Sequence, residues 1–146
     1  VTHNLLHLHH IGVAVPDLER AIETYVAMGH SLVTKVDDTP LDVRVAFLAP
    51  NQAELRDDVL IELLAPLSDE GPLVALIKRR MLPSPYHTCY ATNDITLAID
   101  SLRDVGFIPV APIRPALAMG GARMTFLYSQ IVGLVELVEK PKLRGL

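Results

Sequence analysis

The chain has 146 residues, half of them hydrophobic and about a fifth charged, with a formal net charge of −4 at pH 7; this suffices for one folded domain with a sizeable core and is too apolar for a disordered chain. Although the mean hydropathy is +0.32, charges or prolines break every apolar run short of the ~18 residues a membrane span needs. No signal peptide is expected, and the acidic balance argues against nucleic acid or an anionic membrane as partner.

In chain order, a strand is expected over residues 8–15, running into Asp17, a suitable helix N-cap. Leu18, Ala21, Ile22, Tyr25 and Met28 then recur at i, i+3, i+4, i+7 and i+10, one stripe of a helix that Gly29 is placed to end. Strands are expected around 31–35, 43–49 and 59–65. Residues 66–85 read as a structural linker, with a short amphipathic helix over 72–80 that is basic at its end. The pattern then returns: a strand over 86–92, a cap at Asp94, a helix striped by Ile95, Ala98, Ile99, Leu102 and Val105, and Gly106 at its end. Strands around 107–110, 123–128 and 133–139 close the chain.

The return extends to individual residues. His10 falls on His87, Asp17 on Asp94, Ala21 and Ile22 on Ala98 and Ile99, and Gly29 on Gly106, all at an offset of 77. Arg44, Phe47 and Leu48 match Arg123, Phe126 and Leu127 at an offset of 79, and Leu60, Glu62 and Leu63 match Leu134, Glu136 and Leu137 at 74. Two amphipathic segments could share apolar positions by chance, but not the coincident His, Asp, Gly and Glu. The chain therefore reads as a duplication: one α+β domain of two tandem β-α-β-β-β modules, the first over about 8–65 and the second over about 86–140.

Four repeated residues do not suit the apolar strands that hold them. Glu62 and Glu136 each sit among aliphatic neighbours, and His10 and His87 lie in the first strand of their modules. A carboxylate in such a run either faces water or, if buried, must be paired, hydrogen-bonded or metal-bound. Under a pseudo-two-fold axis one His and one Glu from each module can converge, forming a nitrogen and oxygen site suited to one divalent ion such as Zn, Ni, Co, Fe or Mn. His3, His7, His9 and His30 have no counterpart in the second module and read as surface residues; strand alternation turns His9 to the face opposite His10.

The single cysteine, Cys89, excludes an internal disulfide and a cysteine-based zinc site, and suits a reducing, cytoplasmic compartment. It shares the face of His87 and reads as a small buried hydrophobe. The segment 111–123, rich in Pro, Gly and Met, reads either as a loop over the site, in which Arg114, Met119 or Arg123 contact substrate, or as an ordinary connection with solvated arginines.

On the segments His9-His10-Ile-Gly-Val-Ala-Val-Pro-Asp-Leu, Ile61-Glu62-Leu-Leu-Ala-Pro-Leu, Pro85-Tyr86-His87-Thr-Cys-Tyr and Gly133-Leu-Val-Glu136-Leu-Val, the chain resembles the vicinal oxygen chelate superfamily. The resemblance spans nearly the whole chain and implies a cupped, eight-stranded mixed sheet around a metal held by His10, Glu62, His87 and Glu136. The members it looks most like are glyoxalase I-like and methylmalonyl-CoA epimerase-like proteins. It implies a small-molecule substrate, a homodimer, and removal of a proton next to a carbonyl or thioester, with Glu136 as base and Glu62 as ligand and second base. Glyoxalase-type chemistry, with a thiol co-substrate such as glutathione or coenzyme A, is put first and epimerisation of an acyl-CoA second. Neither Arg44 nor Val45 offers the acidic helper that an epimerase would take from that strand. Further alternatives are a metalloenzyme of natural-product metabolism and a protein that binds a small molecule without chemistry.

Overall fold

A computed structural model describes residues 6–51 and 58–143, so His3 lies outside the described residues. Its elements in order are β1 (His7–Ala14), α1 (Leu18–Ala27), β2 (His30–Asp38), β3 (Val43–Pro50), β4 (Leu60–Pro66), α2 (Val74–Lys78), β5 (Ser84–Thr92), α3 (Ile95–Asp104), β6 (Ile108–Pro109), β7 (Arg114–Ala116), β8 (Ala122–Ser129) and β9 (Gly133–Glu139). Short 3-10 turns at Thr39–Leu41 and Leu117–Met119 follow β2 and β7.

The capping chemistry lies where the sequence placed it. The Asp17 carboxylate accepts from the Arg20 N–H at 3.1 Å, and that of Asp94 from the Leu97 N–H at 2.9 Å. Gly29 and Gly106 take φ of +96° and +95° just past the two helices, a left-handed conformation that costs a residue with Cβ about 1 kcal/mol or more.

One mixed sheet runs β2-β3-β4-β1-β5-β9-β8-β6, with β7 also paired on β8. Within each half the first strand lies parallel to the last, β1 on β4 and β5 on β9; the halves meet where β1 and β5 pair antiparallel. That join is the pseudo-two-fold centre. Among the described residues the sheet has nine strands rather than the eight expected, because Arg114, Pro115 and Ala116 do not simply loop over the site. They pair with Met124, Arg123 and Ala122 as a short extra strand.

Both faces of the sheet are covered, which is why β3, β4 and β9 read as nearly continuous apolar runs. On the convex face, Leu18 and Ile22 of α1 pack on Ala46, Leu48 and Leu63, while Ile95, Ala98 and Ile99 of α3 pack on Leu127 and Leu137. On the concave face, Val43, Val45, Phe47, Leu64, Cys89, Met124 and Val138 pack with Leu73 from the linker and with Ala116, Met119 and Leu143. The linker helix is shorter than expected, five residues, with Leu73 as its buried contact and Lys78, Arg79 and Arg80 exposed. Among the described residues no helix is long and apolar enough to cross a membrane.

Candidate metal centre

The register of the central strands brings the four repeated polar residues together. Along β1, Gly12 stands opposite Glu62 of β4 on one side and His87 of β5 on the other. Along β5, Cys89 stands opposite Glu136 of β9 on one side and His10 on the other. Each imidazole therefore lies across a small residue of the neighbouring strand toward the other module's carboxylate.

All four side chains are buried, with relative exposures of 0% for His10, 6% for Glu62, 5% for His87 and 2% for Glu136. His10 Nε2 lies 2.6 Å from Glu62 Oε2 and 3.3 Å from Glu136 Oε2; His87 Nε2 lies 3.0 and 2.9 Å from the same two atoms. The two Nε2 atoms are 3.2 Å apart, and one ligand atom from each of the four residues falls within 4.8 Å of all the others.

These distances suit a metal. With bonds of about 2.1 Å to nitrogen and oxygen, neighbouring ligand atoms around an octahedral ion stand about 3.0 Å apart. The five measured separations scatter around that value, and the donors are the imidazole and carboxylate types that first-row divalent ions take.

Phe47 and Phe126, equivalent in the repeat, wall the two imidazoles. Phe47 stands edge-on to His10 at 5.0 Å between ring centroids and Phe126 edge-on to His87 at 5.5 Å. Their strand positions place them opposite Glu62 and Glu136. The repeat Arg-Val-Ala-Phe-Leu and Arg-Met-Thr-Phe-Leu carried this signal, although sequence reasoning used it only to align the modules.

Burial alone would keep the imidazoles neutral and the carboxylates protonated; their mutual contacts reverse both tendencies. Against burial, the charges of Glu62 and Glu136 and their hydrogen bonds raise His10 to about 9 and His87 to about 10. Against the same burial, His10 and His87 hold Glu62 and Glu136 below the usual carboxylate range. Metal uptake requires unprotonated Nε2 atoms, so at pH 7.5, below both raised values, it should release about two protons per ion. Affinity should rise with pH up to the raised values of about 9 and 10, where the imidazoles lose their protons unaided. Titration calorimetry in buffers of different ionisation enthalpy reads this directly, and binding without proton release would contradict the arrangement.

Two histidine expectations are corrected. Between Leu8, opposite Tyr90, and His10, opposite Cys89, the β1–β5 register slips by one, so His9 is the extra residue of a bulge. Alternation is suspended there. His9 is half-buried on the side of His10, their Nδ1 atoms 2.8 Å apart. Burial and then the neighbouring charge of His10 pull His9 down to about 4. His30 is also half-buried, edge-on to Tyr25 at 5.4 Å; His7 is exposed as expected.

The cavity over the cluster is lined by Glu62, Glu136, Val43, Val45, Phe126, Met119, Arg114 and Asp38, among others. Arg114 and Met119 thus reach the site. Arg123 does not. Met124 and Phe126 take the concave face of β8, so Arg123 points away and contacts Glu139 at 3.3 Å. Its equivalent, Arg44, likewise faces outward, 3.4 Å from Asp37. The sequence reading overlooked Asp38, which is buried and bound to Arg114 at 2.6 Å. Cys89 is buried beside His10, and burial raises its thiol pKa well above the usual value.

Residues 9–126 match the model of a family described as the Glyoxalase/Bleomycin resistance protein/Dioxygenase superfamily. An ethylmalonyl-CoA/methylmalonyl-CoA epimerase of Cereibacter sphaeroides is 30% identical over 123 residues, which cover 83% of this chain and 87% of that protein. The crystal structure of methylmalonyl-CoA epimerase from Mycobacterium tuberculosis is similar with a TM-score of 0.80 and 28% identity, covering 95% of this chain and 91% of that one. Another methylmalonyl-CoA epimerase structure gives a TM-score of 0.81 at 25% identity, over 96% and 99% of the two chains.

Proposed function

The chain belongs to the Glyoxalase/Bleomycin resistance protein/Dioxygenase superfamily, and from that premise we propose that it is a divalent-metal-dependent isomerase of the methylmalonyl-CoA epimerase type, inverting the carbon next to the thioester of an acyl-CoA. The observation that carries the reading is the buried convergence of His10, Glu62, His87 and Glu136 within 4.8 Å. Those four residues would hold the ion. When bound, it would act as a Lewis acid on the thioester carbonyl, a contribution worth several kcal/mol.

The rest of the chemistry falls to the chain. The carboxylates of Glu136 and Glu62 come from equivalent positions of the two modules, and both line the cavity. Among the described residues their contacts to His10 and His87 use Oε2, so the second oxygen of each is the one to exchange a proton. Glu136 takes the α-proton, the electron pair moves onto the thioester oxygen, and a proton returns to the opposite face from the side of Glu62. The β3 wall offers Val43 and Val45, no acid, and Asp38 is tied to Arg114. Glu62 is thus the second acid–base group in this reading.

The glyoxalase type, put first from the sequence, gives way to the epimerase type because the similar proteins carry epimerase names. Coenzyme A is then the thiol carrier, and glutathione has no place. The test is metal-loaded protein in D2O with (2R)- and (2S)-methylmalonyl-CoA, followed by α-deuterium uptake and inversion, beside methylglyoxal with glutathione. The expected result is metal-dependent exchange and inversion of the acyl-CoA and no reaction of the hemithioacetal. Inert acyl-CoA with full metal loading would remove the epimerase reading.

A further inference from the structure

The two imidazoles of the cluster occupy equivalent positions, but their outer nitrogens do not have equivalent surroundings. His87 Nδ1 is buried and without a hydrogen-bond partner among the described residues. The residue before His87 is Tyr86, whose ring stands edge-on at 5.7 Å. His10 Nδ1, by contrast, lies 2.8 Å from His9 Nδ1, because the bulge in β1 inserts His9 on the same side.

The proton inventory of this contact admits one arrangement when His10 binds a metal. Nε2 of His10 faces the cluster and carries no proton when it serves as a ligand, so the ring's only proton is on Nδ1. That N–H donates to His9 Nδ1, which must be the accepting nitrogen, with the His9 proton on Nε2. A ligating histidine whose second nitrogen donates to a fixed acceptor is held in both tautomer and ring orientation. An imidazole is an unusual acceptor here; carboxylates, carbonyls and water are the usual ones.

We propose that His9 is a positioning residue for the metal centre, accepting the Nδ1–H of His10 and thereby fixing it as an Nε2 ligand. This rests on the metal-binding role assigned to His10 above. It assigns a purpose to the bulge: one extra residue in β1 turns a side chain that alternation would send outward into the support of a ligand. It also makes the two imidazole ligands unequal: the outer nitrogen of His10 is held by a hydrogen bond, and that of His87 has only packing around it among the described residues.

The test uses the full chain and its His9→Leu and His9→Asn variants, loaded with Zn or Co(II). His9→Leu removes the acceptor, and affinity measured by chelator competition should fall 10- to 100-fold. His9→Asn places a carbonyl oxygen near the lost nitrogen and should recover affinity to within about threefold. The Co(II) spectrum should change in the Leu variant and return in the Asn variant, which a merely structural role would not produce. Nitrogen-15 NMR of the Zn-loaded wild type needs no variant: it should show His10 protonated at Nδ1 and His9 at Nε2. The opposite tautomer at either ring, or wild-type affinity in His9→Leu, overturns the proposal. A wild type that takes up no metal overturns the metal reading itself, so the two failures are told apart.

Discussion

In Glu136→Gln, inversion of methylmalonyl-CoA should fall by about 10²–10⁴, the range that removal of a general base spans, while the metal stays bound within about tenfold of wild-type affinity. The amide keeps an oxygen for the ion and the volume of the carboxylate; it loses the ability to take a proton. The side chain is 2% exposed and contacts both imidazoles, so an isosteric change preserves the packing where Ala would leave a hole. The pseudo-two-fold adds a sharper expectation. If Glu136 and Glu62 serve opposite faces of the substrate, Glu136→Gln in D2O should lose α-proton exchange of one epimer and keep it for the other. Glu62→Gln should show the reverse preference. Near-normal inversion in Glu136→Gln, read by chiral analysis of the product, would remove it as the base; loss of exchange for both epimers in each variant would remove the two-sided assignment.

How far the sequence carried this assignment differs from residue to residue. The β-α-β-β-β order was legible because it rests on local chemistry: capping aspartates, glycines at left-handed positions and apolar stripes of one period. The four-residue cluster was legible because duplication turned four weak signals into one correlated signal, and the register of β1, β4, β5 and β9 then places each His over the other module's Glu. His9 was not legible. A bulge depends on how one strand pairs with another, and alternation along β1 alone predicts the wrong face. Asp38 and Arg114 are 76 positions apart and meet across the cup, so neither names the other in sequence. Arg123 stood both at the end of the expected loop and at the start of the expected strand, and only its place in β8 (Ala122–Ser129) decides between a substrate contact and a solvated arginine. Once Met124 and Phe126 face the cavity, its direction follows.

Gly12→Ala should abolish tight metal binding although Gly12 offers no ligand. A Cβ at this position would stand 2.3 Å from His87 Cε1, 2.6 Å from its Nδ1 and 2.7 Å from its Nε2, all inside contact distance. The ring has nowhere to retreat without leaving the cluster, because Phe126 and Tyr86 stand against it and Nε2 is held at 3.0 and 2.9 Å by the two carboxylates. It must swing off, removing one of four ligands. Perturbing a residue that only supports a ligand costs 10- to 100-fold in metal affinity, so displacing the ligand itself should cost at least about 100-fold. The overpacked strand should also lose about 1–3 kcal/mol of stability. Cys89, equivalent in the other module, keeps its side chain beside His10, so the need for glycine belongs to one side of the pseudo-two-fold only, and Cys89→Ala should leave affinity nearly unchanged. The decisive measurement is a double-mutant cycle by chelator competition and thermal unfolding. With His87→Ala in place the added methyl has room, and Gly12→Ala should then cost little in either readout; equal costs in both backgrounds would mean that Gly12 acts on something other than His87.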